Sequence, residues 1–338
     1  MTNYVNPDDF AIVIGINCYE DPERNLTSPV HDANRLKDWL VDPTGGGLDP
    51  KNCKVLLGEN TTEINRKVIE DELIAARHFS KKRIENGGAA RRLYFYFSGH
   101  GLAKQVDEVL MCHSLWSGDR PNANINSSSL EKGYLNNCTW FEEVVVWLDC
   151  CRNRSIITKP STLEVGCAPR DDGGSQKTML AYATLDGSYA YEGLTENDDG
   201  NSVFTEALLT GLRIATNGSG IVSWRSLKRY LEEFVPEIAK AQQKAQTPQV
   251  DFLRLPSEQD PGFNTAKLPT VTLTFDIDSG IVFILDREFS EIVPGHDLAQ
   301  GPINHPFPPG RYLAINNNRR QPFSISGTEQ SLKVNFNG

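Results

Sequence analysis

Hydrophobic and polar positions follow two different rhythms along this chain. In the first part, continuous apolar runs read as strands buried on both faces: Phe10–Ile16, Lys54–Leu57, Leu93–Phe97, Val109–Cys112, Val144–Leu148 and Thr178–Thr184. Between them, apolar residues recur at helical spacing. Ala33, Leu36, Trp39 and Leu40 predict a helix over 30–40. Ile64, Val68, Leu73, Ala76 and Phe79 predict a long one capped by Thr61 or Thr62. A short helix is expected within 130–141, and amphipathic helices over 202–214 and 223–243, before a last short strand at 246–252. Strands alternating with helices give an α/β domain with a mostly parallel sheet flanked by helices.

Residues 256–267, with Pro256, Pro261 and Gly262, read as a boundary. Beyond them the period becomes two. Val271–Phe275, Ile281–Leu285, Arg311–Ile315, Phe323–Ile325 and Leu332–Phe336 predict a small all-β, sandwich-like domain over 268–338. His296 and His305 lie among Pro and Gly and read as solvated loop residues. Within the first domain, 1–255, the segment 154–177 has the Pro, Gly and charge content of a linker. It separates a larger part (10–153) from a smaller one (178–255).

Composition narrows the function classes. A net charge of −10 disfavours a nucleic-acid partner. No apolar run approaches the ~20 residues that span a bilayer. Residues 1–9 have neither the basic start nor the apolar core of a signal peptide, so a cytoplasmic protein with no membrane partner is expected. Seven cysteines without regular spacing and without a CxxC are not a disulfide framework. Adjacent Cys150 and Cys151 are poorly placed to share a metal ion, because neighbours on a strand face opposite ways.

The chemistry gathers at two turns. Ser98-Gly99-His100-Gly101 and Asp149-Cys150-Cys151-Arg152-Asn153 each follow a buried strand. In a parallel sheet both turns leave by the same edge, where active sites form. A histidine and a cysteine brought together there make a catalytic dyad, since the thiol needs a base to react as thiolate. Glycines on both sides of His100 let a substrate approach closely, and the N–H groups of Gly101 and Cys151 are candidates for an oxyanion hole. The spacing from His100 to Cys151 matches the roughly 50 residues of the caspase order.

These motifs, in this order over residues 10–255, resemble the caspase/metacaspase family of cysteine proteases. The resemblance implies that the third residue of the Asp-x-Cys triplet, Cys151, is the nucleophile, His100 the base, and Cys150 a packed neighbour. It also implies that Asp149, with Asp32 at the start of the first helix, forms the specificity pocket, as in metacaspases. Two carboxylates attract a guanidinium or ammonium, so cleavage of protein or peptide substrates after Arg or Lys is expected. Calcium-dependent members carry an aspartate cluster between the motifs. Asp107, Glu108 and Asp119 here include no Asp-Asp pair, so no cofactor or metal is expected. Arg152-Asn153 also departs from the residues usual after the nucleophile.

Members of the family are often activated by a linker cut, for which Arg154, Lys159, Arg170 and Lys177 are candidates, with Lys81–Arg83 and Arg91-Arg92 as alternatives. The family's association with regulated cell death and defence suggests such a role. The β domain is a candidate docking point for a regulatory partner. Two other readings stand beside the protease: an inactive caspase-like scaffold that binds partner proteins, and a redox switch of vicinal Cys150 and Cys151.

Overall fold

Five of the apolar runs, with the short strand after residue 246, form one six-stranded sheet; Val109–Cys112 pairs instead with Gly101–Ala103 and Asn124–Asn126 in a separate three-stranded sheet. The strands of the six-stranded sheet are β1 (Phe10–Ile16), β2 (Cys53–Gly58), β3 (Ala90–Ser98), β4 (Phe141–Asp149), β5 (Lys177–Tyr182) and β6 (Gln249–Leu253). Their spatial order is β6-β5-β4-β3-β1-β2, and all pairs are parallel except β5 with β6. The structure is a computed structural model and describes residues 6–60, 62–103, 108–153, 161, 163, 176–192, 201–217, 219–265, 268, 270–287, 289–317, 319–327 and 329–336. They fall into two compact units, Met1–Leu209 with Val235–Asp260, and Thr210–Phe234 with Pro261–Gly338. No helix among the described residues is long and apolar enough to cross a membrane.

The strands are as apolar as they are because helices cover the sheet. Every residue of β1 is buried, as is every residue of β4 except Glu142. Helix α1 (Pro29–Val41) lies directly against β1: a Cβ on Gly15 would stand 2.3 Å from the Pro29 carbonyl oxygen. Only glycine allows that approach, and it fixes the start of α1 at the sheet's C-terminal edge. Helix α2 spans Arg66–Glu85 and is capped by Asn65, whose Oδ1 accepts from Val68 N–H at 3.2 Å. The expected cap at Thr61 or Thr62 is therefore corrected; Ile64 is buried ahead of the helix rather than within it. Residues 129–135 form a π-helical segment that continues into one α-turn at Asn136–Cys138. Helices α3 (Val203–Ile214) and α4 (Trp224–Ala241) complete the set.

The basic pair Arg91-Arg92 is part of the sheet rather than a solvated face. Arg92 is 1 % exposed and its Nε donates to Glu143 Oε2 at 2.8 Å, from the facing register position of β4. On the other side of Glu143, Lys177 Nζ lies 3.5 Å from Oε1. Arg91 Nε donates to buried Asp9 at 2.7 Å. A protease cannot reach these peptide bonds while the strands are paired. Of the linker candidates, Lys177 lies in β5, and Arg154, Lys159 and Arg170 lie outside the described residues, as does Asp107. Cys18, Cys53, Cys112, Cys150 and Cys151 are free, and Cys138 is disulfide-bonded.

The C-terminal strands are β7 (Val271–Phe275), β8 (Ile281–Leu285), β9 (Glu291–Asp297), β10 (Ile303–His305), β11 (Gly310–Asn316), β12 (Arg319–Ile325) and β13 (Ser331–Val334). They make a three-stranded sheet, β10-β7-β13, and a four-stranded antiparallel one, β9-β8-β11-β12. Val271 and Leu273 of the first share a core with Ile284, Ala314 and Ile325 of the second. The alternation in β7 and β8 supplies these inward positions. Strands β9 and β10 escaped the sequence reading because Pro294, Gly295 and the brevity of Ile303–His305 hide the period.

Candidate active site

Sheet register brings the two motifs together. Ser98, the last residue of β3, faces Asp149, the last of β4. Two residues later on each side stand His100 and Cys151. Both line a cleft of about 80 Å³, together with Asp149, Tyr191, Glu192 and Ser202. A Cβ on Gly101 would stand 2.5 Å from Cys150 Sγ and 2.6 Å from the Cys151 carbonyl oxygen, so the glycine after the histidine is what lets the turns touch.

The imidazole of His100 is held from several sides. Its Nε2 lies 2.7 Å from the Arg24 carbonyl oxygen. A carbonyl only accepts, so Nε2 carries the proton and Nδ1 keeps its lone pair. The Tyr19 and Trp116 rings lie 4.8 and 5.2 Å from the imidazole, and the Arg24 guanidinium sits 4.1 Å over Trp116. The Tyr19 hydroxyl accepts from His100 N–H at 2.8 Å. Burial lowers the His100 pKa, and the bond to Arg24 opposes that shift. Because the His100 carbonyl accepts from Cys112 N–H at 2.9 Å, ladder alternation turns the Gly101 N–H away from Val109–Cys112.

The two cysteines differ in setting. Cys150 is 2 % exposed and belongs to the core, where burial pushes its thiol well up. Cys151 is half-buried at the cleft. Its Sγ lies 3.5 Å from the Ala190 carbonyl oxygen and accepts from Ala190 N–H at 3.4 Å. Burial raises its pKa as well. The thiol thus engages the Ala190 backbone; contacts between a thiol and a catalytic imidazole commonly tighten only with substrate. The Arg152 that departs from the family pattern is fully buried. Its Nη1 donates to Gln249 Oε1 at 2.6 Å and to the Thr184 carbonyl at 3.2 Å, and so ties the turn that carries Cys151 to the start of β6 and to the loop after β5.

Asp32 and Asp149 meet through Ser202, and Asp149 and Ser202 line the cleft with His100 and Cys151. Asp32 Oδ2 accepts from Ser202 N–H at 3.1 Å, and Asp149 Oδ2 accepts from Ser202 Oγ and, at 2.6 Å, from Thr205 Oγ1. Asp32 has no exposed surface, and its Oδ1 has no hydrogen-bond partner among the described residues. Burial first, and then the Asp149 charge, push Asp32 up to about 8; burial pushes Asp149 up to about 6 against the bonds from Ser202 and Thr205. Among the described residues no Lys or Arg forms an ion pair with either carboxylate; the nearby Arg35 charge, itself engaged by Glu206, only partly offsets the upward shift of Asp32.

A third carboxylate was missed by sequence reasoning. Glu192 Oε1 accepts from Thr27 N–H, Ser28 N–H and Ser28 Oγ at 2.9, 2.7 and 2.8 Å. It satisfies the start of α1, where Ser28 makes no cap bond of its own, and so holds the turn that carries Asp32. Ser28-Pro29 signals a helix start, but nothing in the sequence points to a partner 164 residues away.

The family model described as the caspase domain of peptidase C14 matches residues 8–258. A probable protease from a Desulfuromonadales bacterium is 28% identical over 251 residues, covering 67% of this chain and 29% of that protein. The chain thus spans less than a third of that relative's length. Among solved structures, a Geobacter sulfurreducens protein has a TM-score of 0.49 at 17% identity, covering 77% of this chain and 100% of that one. Caspase-1 from Spodoptera frugiperda has 0.47 at 13%, covering 78% and 92%.

Proposed function

We propose, on the premise that this chain belongs to the caspase family of peptidases, that it is a cysteine endopeptidase cleaving protein substrates after Arg or Lys. Cys151 gives its proton to His100 Nδ1, and the thiolate attacks the scissile carbonyl carbon. The oxyanion is met by the N–H groups of Gly101 and Cys151. The imidazolium passes its proton to the leaving nitrogen as the C–N bond breaks, leaving a thioester. Water, deprotonated by His100, then releases the acid and restores the thiol. The Arg24 carbonyl fixes the tautomer that makes Nδ1 the base.

The observation that supports this specificity is the buried Asp32–Asp149 pair, which has no ion-pair partner among the described residues and whose carboxyls are both pushed up by burial. A substrate guanidinium or ammonium entering there would replace carboxylate repulsion with attraction, and a side chain of Asp would add to the repulsion. Glu192 adds a further negative charge at the same cleft. Self-cleavage in 154–177 and a role in cell death or defence remain extensions of this reading.

The test is covalent labelling with an arginyl chloromethyl ketone, followed by peptide mapping. The label is expected on Cys151, with no reaction of the aspartyl analogue. A label on Cys150, no label at all, or equal labelling by the aspartyl reagent would overturn the proposal.

A further inference from the structure

A second cavity, of about 630 Å³, shares no lining residue, among the described residues, with the cleft at His100 and Cys151. It opens at the first turn of α2. Asn65 caps Val68, while the Lys67 backbone N–H finds no acceptor among the described residues. A helix N-terminus carries partial positive charge and unused donors. The Arg66 guanidinium reaches into the same space, where its Nη1 donates to Ser161 Oγ at 3.2 Å.

The independent sign of a ligand is His113. It lines the cavity, is 7 % exposed, and its buried Nδ1 has no hydrogen-bond partner among the described residues. A buried polar atom left unpaired is costly, so a ligand that satisfies it gains from doing so. Burial, with Arg66 nearby, pushes this imidazole down to about 4, so at neutral pH it offers one N–H and one lone pair.

The acidic neighbours define the ligand further. Asp71 is exposed and its carboxylate is engaged by Lys67 Nζ at 2.9 Å. Glu70 is buried on the cavity wall, 3.9 Å from Arg66 Nε. An ionised carboxylate only accepts, and it repels any anion unable to donate a proton to it. Sulfate and simple carboxylates cannot donate at neutral pH; hydrogen phosphate can.

We infer that this cavity binds a hydrogen phosphate group, with the first turn of α2, Arg66 and His113 donating to its oxygens and Glu70 accepting from its P–OH. The group arrives as free phosphate or as a phosphate monoester, which keeps the P–OH only in its singly ionised form.

The test uses the full chain carrying Cys151→Ala, titrated at pH 7 with inorganic phosphate, sulfate and glycerol phosphate and followed by calorimetry. Saturable phosphate binding is expected, about tenfold or more tighter than sulfate. Arg66→Gln and His113→Gln should each weaken it about tenfold, as loss of a charge-assisted or buried bond does. Glu70→Gln should bring sulfate level with phosphate. Glycerol phosphate binding as tightly as phosphate assigns a monoester, and weaker binding assigns the free ion. Circular dichroism identifies any variant that has not folded, and the phosphate-to-sulfate ratio of the unaltered pocket stands as a test without them. No saturable phosphate binding, equal affinity for sulfate before Glu70 is changed, or a folded Arg66→Gln protein that binds unchanged would overturn the inference.

Discussion

Replacing Asp32 by asparagine tests the proposed specificity pocket through stability. The Asp32 carboxyl sits at about 8 in the fold, against 3.8 for the unperturbed group. A raised value means that the folded state keeps a proton the unfolded chain releases. The group's contribution is therefore intact below 3.8 and is lost as the pH climbs from there towards 8. At pH 7 about three pH units of that span have been crossed at ~1.4 kcal/mol each, on the order of 2–4 kcal/mol with Asp149 sharing the effect. Asparagine is neutral in both states and escapes the loss. Without substrate, Asp32→Asn should melt roughly 5 °C or more above the parent protein at pH 7 and at nearly the same temperature near pH 4. Its KM for an arginyl peptide should rise at the same time, because one of the guanidinium's partners is gone. The assay is a pair of thermal melts at the two pH values. A lower melting temperature at pH 7, or a gain of equal size at pH 4, would refute the reasoning.

Three further outcomes follow from the same geometry. Gly101→Ala drives a Cβ into Cys150 Sγ and the Cys151 carbonyl; kcat/KM should fall about a hundredfold with the circular dichroism spectrum retained, and undiminished turnover would contradict it. Glu143→Gln removes the carboxylate bonded to the buried Arg92, which should cost about 3–5 kcal/mol in urea denaturation, against no change if the pair is dispensable. Because burial raises the Cys151 thiol from its ordinary 9.0, alkylation of the free enzyme by iodoacetamide should still be accelerating above pH 9, and a plateau below pH 8 would count against that environment.

The parts of the fold that were legible in the sequence are those with a repeating local cause. Phe10–Ile16 and Val144–Leu148 are buried on both faces and read as continuous apolar runs, and the turns after Phe97 and Leu148 follow from them. Parallel register then does the rest, since Ser98 opposite Asp149 brings His100 and Cys151 to one edge. What the sequence hid depends on partners far along the chain. Glu192 has no local motif, and its bonds to Thr27 and Ser28 exist only once the loop after β5 returns to α1. Arg91-Arg92 looks like a surface charge run because its partners are distant in sequence, Asp9 just ahead of β1 and Glu143 in β4. The cap of α2 was misplaced because Thr61, Thr62 and Asn65 are all good capping residues, and burial of Ile64 ahead of the helix selects the last.

The measurement closest to the central claim is the cleavage of one peptide series, varied only at the residue before the scissile bond, by the parent protein, Cys151→Ala and Cys150→Ala. The account predicts cutting after Arg and Lys and none after Asp, abolished by Cys151→Ala and retained by Cys150→Ala. Cutting after Asp, or activity that disappears with Cys150 and survives the loss of Cys151, would contradict it.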